Sequence, residues 1–163
     1  MQKTIISHDI HGAEYTVPIE KLKWRPAAYG IIIQDHKILL TKQGGAFHLP
    51  GGGINLGEAP EDGVIREIRE ETGVEVGNPR RVGPIISGFF TMNHSTDAEL
   101  THVHSLLMYY QCDLVGGALS IDGFEEDEKL IGEMPEWIVL EQLDEIKAGS
   151  SIDWRSIVKN LLN

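Results

Sequence analysis

A single cysteine, Cys112, leaves this 163-residue chain without any internal disulfide, so a reducing, cytoplasmic setting is expected. Apolar runs are short. None approaches the roughly 20 residues needed to span a bilayer, and the stretch from Met1 to His8 has no signal-peptide apolar core, so no membrane partner is expected. Positive charge is scarce: 14 Lys and Arg stand against 25 Asp and Glu, a net charge of −11. That balance argues against a DNA or RNA polymer as partner, because phosphate backbones are met by a basic footprint. Small phosphorylated substrates stay open, since a bound divalent cation reverses the local field of an acidic site. Internal repeats, low-complexity tracts and Pro/Ser-rich linkers are missing too. What remains, 41% hydrophobic and 24% charged residues, is an ordinary globular composition, and the length suits one domain over 1–163 with its own core.

Two short β-type runs, Thr4–Ser7 and Tyr15–Pro18, flank His11-Gly12-Ala13 and predict an N-terminal β-hairpin extension over 1–24. Ala27–Gln34 and Lys37–Lys42 are apolar, β-branched runs around the turn signal Asp35-His36. Phe47–Pro50 reads as a short strand running into Gly51-Gly52-Gly53, a poor strand or helix but a good backbone surface for close ligand approach. Pro60 to Thr72 predicts a helix: Pro60 suits the first helical position, Glu61 and Asp62 suit the positive dipole end, and Gly73 is a stop. Further β runs are Ile85–Thr91, Val103–Leu114 and Trp137–Leu140, and two short helices, Glu141–Lys147 and Asp153–Leu162, close the chain. Strands interspersed with helices predict an α/β arrangement, a mixed sheet covered by helices.

The chemistry is concentrated between Gly51 and Val74. At about 100° per helical residue, Glu67, Glu70 and Glu71 fall inside an arc of about 100°, while Val64, Ile65 and Ile68 occupy the neighbouring arc and face the core. Arg66 projects beside Glu70. Three crowded carboxylates repel one another unless something positive sits among them, and hard oxygen donors at this spacing suit Mg²⁺ or Mn²⁺. Taken alone, such a stretch is usually just a solvated helix face.

The full string decides between these readings. Gly52-x5-Glu58-x7-Arg66-Glu67-Ile68-x-Glu70-Glu71-x-Gly73-Val74 resembles, position by position, the signature of the Nudix hydrolase family. With each residue type used at roughly 7%, seven fixed Gly, Glu and Arg positions coincide by chance about once in 10⁸ starts. Leu49-Pro50-Gly51-Gly52 is similar to the family's approach to this box. The resemblance implies an α/β/α sandwich with a mixed β-sheet, in which 51–74 forms a catalytic loop–helix–loop. It further implies hydrolysis of a phosphoanhydride in a nucleoside diphosphate linked to another moiety, by water and with Mg²⁺ or Mn²⁺.

Carried over by resemblance, Glu67 and Glu71 are metal ligands and the Gly51 carbonyl a backbone ligand. Glu70 is a further ligand or the group that polarises the attacking water. Glu58 acts through a hydration shell or a second metal, and Arg66 orients the carboxylates. Gly52 matches through loop geometry. Outside the box, Lys42 is a candidate for a substrate phosphate, or simply a strand-end lysine, and Phe90 for stacking on a base, Phe89 lying on the opposite strand face. His102 and His104 share a strand face, Cys112 belongs to the core, and the acidic run 125–128 is either a solvated loop or brings one of Glu125, Glu126 or Glu128 near the metals.

Three subfamily marks are missing. ADP-ribose hydrolases of the family show a proline about fifteen residues past the box, whereas Pro84 comes too early; the tyrosine of dinucleoside polyphosphate hydrolases and the coenzyme A signature are absent. These absences lean toward a nucleoside triphosphate pyrophosphohydrolase, oxidised nucleotides included. Nucleotide-sugars, ADP-ribose, dinucleoside polyphosphates and a non-catalytic nucleotide-sensing role are the alternatives, and the hairpin is expected to pack on a second subunit.

Overall fold

The computed structural model describes residues 2–9, 11–92, 100–124, 132–149 and 153–163. Its strands are β1 (Thr4–His8), β2 (Glu14–Pro18), β3 (Lys23–Gln34), β4 (Lys37–Gln43), β5 (Ala46–His48), β6 (Gly51–Gly53), β7 (Val74–Met92), β8 (Thr101–Gly117) and β9 (Gly132–Val139), with helices α1 (Pro60–Thr72) and α2 (Trp154–Leu162). They form one mixed sheet in the order β2-β1-β7-β8-β3-β4-β5, with β6 added to β3 and β9 to β4.

Strand β3 is the spine of the sheet. It runs parallel to β8 from Lys23↔Val103 to Ile32↔Cys112, takes β6 on its other edge through Ala27↔Gly53 to Tyr29↔Gly51, and turns into β4 at Ile33↔Ile38. Its apolar residues alternate strictly between the two faces, as a strand covered on both sides requires. Ala28 and Ile32 join Leu39, Tyr110 and Cys112 in a core closed by Val64 and Ile68 of α1. Ala27 and Ile31 join Ile38, Leu40, Leu107 and Tyr109 in a second core closed by Trp154 and Val158 of α2. Two helices on opposite faces of one mixed sheet make the expected α/β/α sandwich. Gly30 lets α1 approach: a methyl group there would overlap the buried side chain of Ile68. Asp153 caps α2, its carboxylate accepting from the Ser156 amide at 3.4 Å.

The expected N-terminal hairpin forms, pairing Thr4–His8 with Glu14–Pro18, and joins the sheet where His8 meets Phe90. A buried bond between the Ser7 and Thr91 hydroxyls, 2.8 Å, ties it there. No described helix is long and apolar enough to cross a membrane.

Three expectations need correction. The triple glycine, read as a poor strand, is strand β6, because the small Ala27 and Ala28 opposite it let the two backbones pair. The run Ile85–Thr91 is only the end of a 19-residue strand; Gly77, Asn78, Pro79, Gly83 and Pro84 are absorbed at two register shifts against β8, not at chain turns. The helix expected at Glu141–Lys147 is a single 3₁₀ turn, Leu140–Gln142. Beyond it the chain turns through 143–146 and then pairs with Phe47, whose amide donates to the Lys147 carbonyl at 2.8 Å and whose carbonyl accepts from the Gly149 amide at 3.0 Å.

The Gly30–Ile68 contact yields a stability prediction. Gly30→Ala lowers unfolding free energy by about 1–3 kcal/mol. In urea denaturation, combining it with Ile68→Val costs less than the two single changes summed, because the shortened side chain relieves the overlap.

Candidate active site

Helix α1 begins at Pro60, with Ala59 extended and no side-chain cap, and ends at Gly73, whose left-handed backbone (φ 76°) returns its amide to the Arg69 carbonyl. The core side of α1 is fixed by Val64 and Ile68. Arg66, Glu67 and Glu70 are thereby presented along the loop that β6 carries in.

Arg66 organises that loop. Its Nε and Nη2 donate to the two Glu58 oxygens at 2.7 and 2.9 Å, a bidentate clasp. Nη1 donates to Glu67 Oε1 and Glu70 Oε2, each at 2.9 Å, and Nη2 also reaches the Gly53 carbonyl at 3.0 Å. One guanidinium therefore holds three carboxylates and the glycine loop together. The Asn55 amide adds a 2.9 Å bond to Glu58. Together the Arg66 bonds, chiefly, and this amide pull the Glu58 pKa down to about 2, while Arg66 is held protonated more firmly than an ordinary arginine, first of all by Glu58.

Glu71 is 7% exposed, and its Oε2 accepts from the Gly51 amide at 2.7 Å. Gly52 has a sharper role than loop geometry: a Cβ there would lie 2.6 Å from Glu67 Oε2 and 2.8 Å from its carboxyl carbon. Only a residue without a side chain lets the Glu67 carboxylate lie against the loop. The structure thus brings Gly51, Gly52, Glu58, Arg66, Glu67, Glu70 and Glu71 into one cluster. Its acids face Arg66 and Gly51 rather than one another; among the described residues no three of them close around a common point. An open cleft of about 710 Å³ runs along the outer side of α1, lined in part by Arg66, Arg69, Glu70 and Asp122.

Other expected residues lie elsewhere. Lys42 pairs with Glu133 (3.4 Å) and Glu136 (3.2 Å) of β9, which raise its pKa, the Glu136 hydrogen bond most, and it sits over the Phe47 ring. Phe90 packs, half-buried, against the α2-side core. The rings of His102 and His104 bond the hydroxyls of Thr91 (2.9 Å) and Ser87 (2.8 Å). Cys112 is buried in the α1-side core, and burial pushes its thiol up to about 11. Glu125, Glu126 and Glu128 lie outside the described residues.

Sequence reasoning missed Arg25. It sits on β3, and its guanidinium lies 3.5 Å from where a Gly53 side chain would begin, beside the carbonyl held by Arg66. Arg25 also opposes the burial that raises the Tyr29 phenol, which Glu71 and Glu67 raise further. The available signal was the alternation Arg25, Ala27, Tyr29, which puts a charged residue in register with a buried one. Also missed was the bond from the Tyr110 hydroxyl to Glu61 at 3.2 Å. It links β8 to the first turn of α1 across 49 residues, a separation no local pattern spans.

Comparison with known proteins gives concordant results. A family model described as NUDIX domain matches residues 23–158. The protein named ADP-ribose pyrophosphatase of Methanocaldococcus jannaschii is 36% identical over 98 residues, 57% of this chain and 53% of that protein. The 8-oxo-dGTP diphosphatase of Escherichia coli (strain K12) is 39% identical over 54 residues, 29% of this chain and 42% of that protein. The chain spans about half the length, or less, of the curated relatives it matches. A crystal structure titled MutT NUDIX hydrolase from Burkholderia pseudomallei shares the fold, with a TM-score of 0.59 at 20% identity, covering 86% of this chain and 99% of that one.

The Arg66 clasp predicts an acid-resistant site. A carboxylate whose folded pKa lies below its unfolded value adds stability that is full above about pH 4.5 and fades as pH falls toward 2. In a carboxyl-detected NMR titration the Glu58 resonance should therefore titrate near pH 2, and Arg66→Ala should return its midpoint toward 4.5.

Proposed function

The chain belongs to the Nudix family, and on that premise we propose that it hydrolyses a phosphoanhydride bond in a nucleoside diphosphate-linked substrate with the help of Mg²⁺ or Mn²⁺. The observation that carries this reading is the gathering of Glu58, Glu67 and Glu70 on Arg66, with Glu71 beside them on the Gly51 amide. Three carboxylates share one guanidinium and a fourth lies beside them, so the cluster keeps negative charge for a cation to meet.

The donor set fits a hard divalent ion, being built wholly of carboxylate and backbone oxygens. Glu67 and Glu71 would hold it, with Glu70, the Gly51 carbonyl and Glu58 as further donors. Such an ion, when bound, neutralises phosphate charge and acidifies a coordinated water. Glu70, the most exposed acid on Arg66 at 38%, is the group we assign to take the proton of the attacking water. Arg66 orients Glu67 and Glu70 through one nitrogen, so the two carboxylates move together. Arg25, on the strand next to Gly53, is placed to receive phosphate charge. Lys42 and Phe90 stay proposals for substrate contact from the β4 and β7 sides.

Our reading of the substrate is a nucleoside triphosphate, oxidised bases included. The name of the Methanocaldococcus jannaschii relative favours ADP-ribose as the second reading. The reading includes a reducing cytoplasm as the setting and a homodimer formed through the β1–β2 hairpin, whose β2 is the edge strand of the sheet.

Two measurements test this. Incubated with Mg²⁺ and a panel of nucleoside triphosphates, 8-oxo nucleotides, ADP-ribose and nucleotide-sugars, the protein should release a nucleoside monophosphate from at least one, and EDTA should stop it. Glu70→Gln should lower kcat by about 10²–10⁴-fold with circular dichroism unchanged; parental turnover in this variant would remove Glu70 from its role.

A further inference from the structure

Three aromatic side chains stand in a row across neighbouring strands. His104 of β8 lies directly opposite Trp24 of β3 and Phe89 of β7. Its ring stacks on the Trp24 indole with centroids 4.4 Å apart and planes 21° apart, and the Phe89 ring follows at 4.5 Å. Ser87 fixes the plane of the middle ring through its 2.8 Å bond to His104 Nε2, so the row is built rather than accidental. Trp24 nevertheless remains 69% exposed. Among the described residues His104 is its one ring partner, and β6 joins β3 only from Ala27 onward. The far face of the indole is thus an open end of a stack.

The row lines a groove of about 330 Å³, walled by Ile5, Ile19 and Leu22 and flanked by Lys3 and Lys23, a size at the lower end of small-molecule sites. Both lysines are exposed and, among the described residues, neither is in an ion pair, whereas Lys42, Arg66, Arg80 and Lys159 are all paired with acids. In a chain of net charge −11, two unpaired cations beside a stacking surface select a ligand that is planar, aromatic and anionic. None of the residues lining it belongs to the carboxylate cluster or to the cleft along α1, so the groove is separate from that site.

We propose that this groove is a second ligand site, in which a nucleoside monophosphate stacks its base on Trp24 and sets its phosphate between Lys3 and Lys23. The flat face and the two charges define the ligand class; the choice of a nucleotide within that class rests on the hydrolase reading. Stacking on an aromatic side chain is sequence-tolerant, so the site should accept purines with little discrimination.

The test is a titration of the full chain with AMP in EDTA, where no turnover occurs, followed by tryptophan fluorescence. AMP should quench the exposed-indole emission, and Trp24→Leu, at a surface position, should abolish that quench with circular dichroism unchanged. The double variant Lys3→Ala/Lys23→Ala should weaken AMP binding about tenfold while leaving adenosine, which lacks the phosphate, unaffected. A quench that survives Trp24→Leu, or equal affinities for AMP and adenosine, overturns the proposal. So does an unquenched parent whose oligomeric state changes on Trp24→Leu, which identifies a protein partner instead. Failure of the hydrolysis panel leaves this titration interpretable, because the quench requires neither metal nor reaction.

Discussion

The guanidinium of Arg66 is the interaction on which the rest of the site depends. Glu58, Glu67 and Glu70 all converge on this one group, and without a cation among them their mutual repulsion would drive the side chains outward or protonate one of them. Arg66 prevents both by spending its donors on all three and on the Gly53 carbonyl. A lysine has the charge but not the planar fork, and would serve one carboxylate at a time. The arrangement is also poised. Every acid held by Arg66 carries oxygen atoms of the kind that hard cations favour, and the arginine holds them together without one.

That arrangement is possible because the loop and the helix are positioned separately. Strand β6 fixes the loop by pairing with Ala27–Tyr29, and Val64 and Ile68 fix the helix by burial over Ala28 and Ile32. Gly52 and Gly30 sit where the loop and β3 meet side chains of α1, Glu67 and Ile68, and each lacks the atom that would collide there. The carboxylate cluster lies on a stretch of 21 residues from Gly51 to Glu71, but its geometry is set by strands before and after it.

What was legible in the sequence is what depends on near neighbours. The bounds of α1 follow from Pro60 and Gly73, the acidic arc from helical spacing, the resemblance from seven fixed positions, and the two-faced β3 from its unbroken apolar run. Interactions that cross the fold were not legible. Glu58 binds Arg66 around a turn, Arg25 reaches Gly53 from another strand, and Tyr110 reaches Glu61 from a third. Local rules failed where tertiary pairing overrode them. Glycines 51–53 became a strand because alanines face them, Pro79 and Pro84 stayed within a strand by means of register shifts, and the segment after Gln142 gave up helix to bond Phe47.

Strand β3 has one more consequence. Its residues form the floor of both hydrophobic layers, one beneath α1 and one beneath α2. Each helix covers a different face of this one strand, so the two layers are joined through β3. Room for admitting and releasing ligands is therefore to be sought away from β3, at edge elements such as the β1–β2 hairpin.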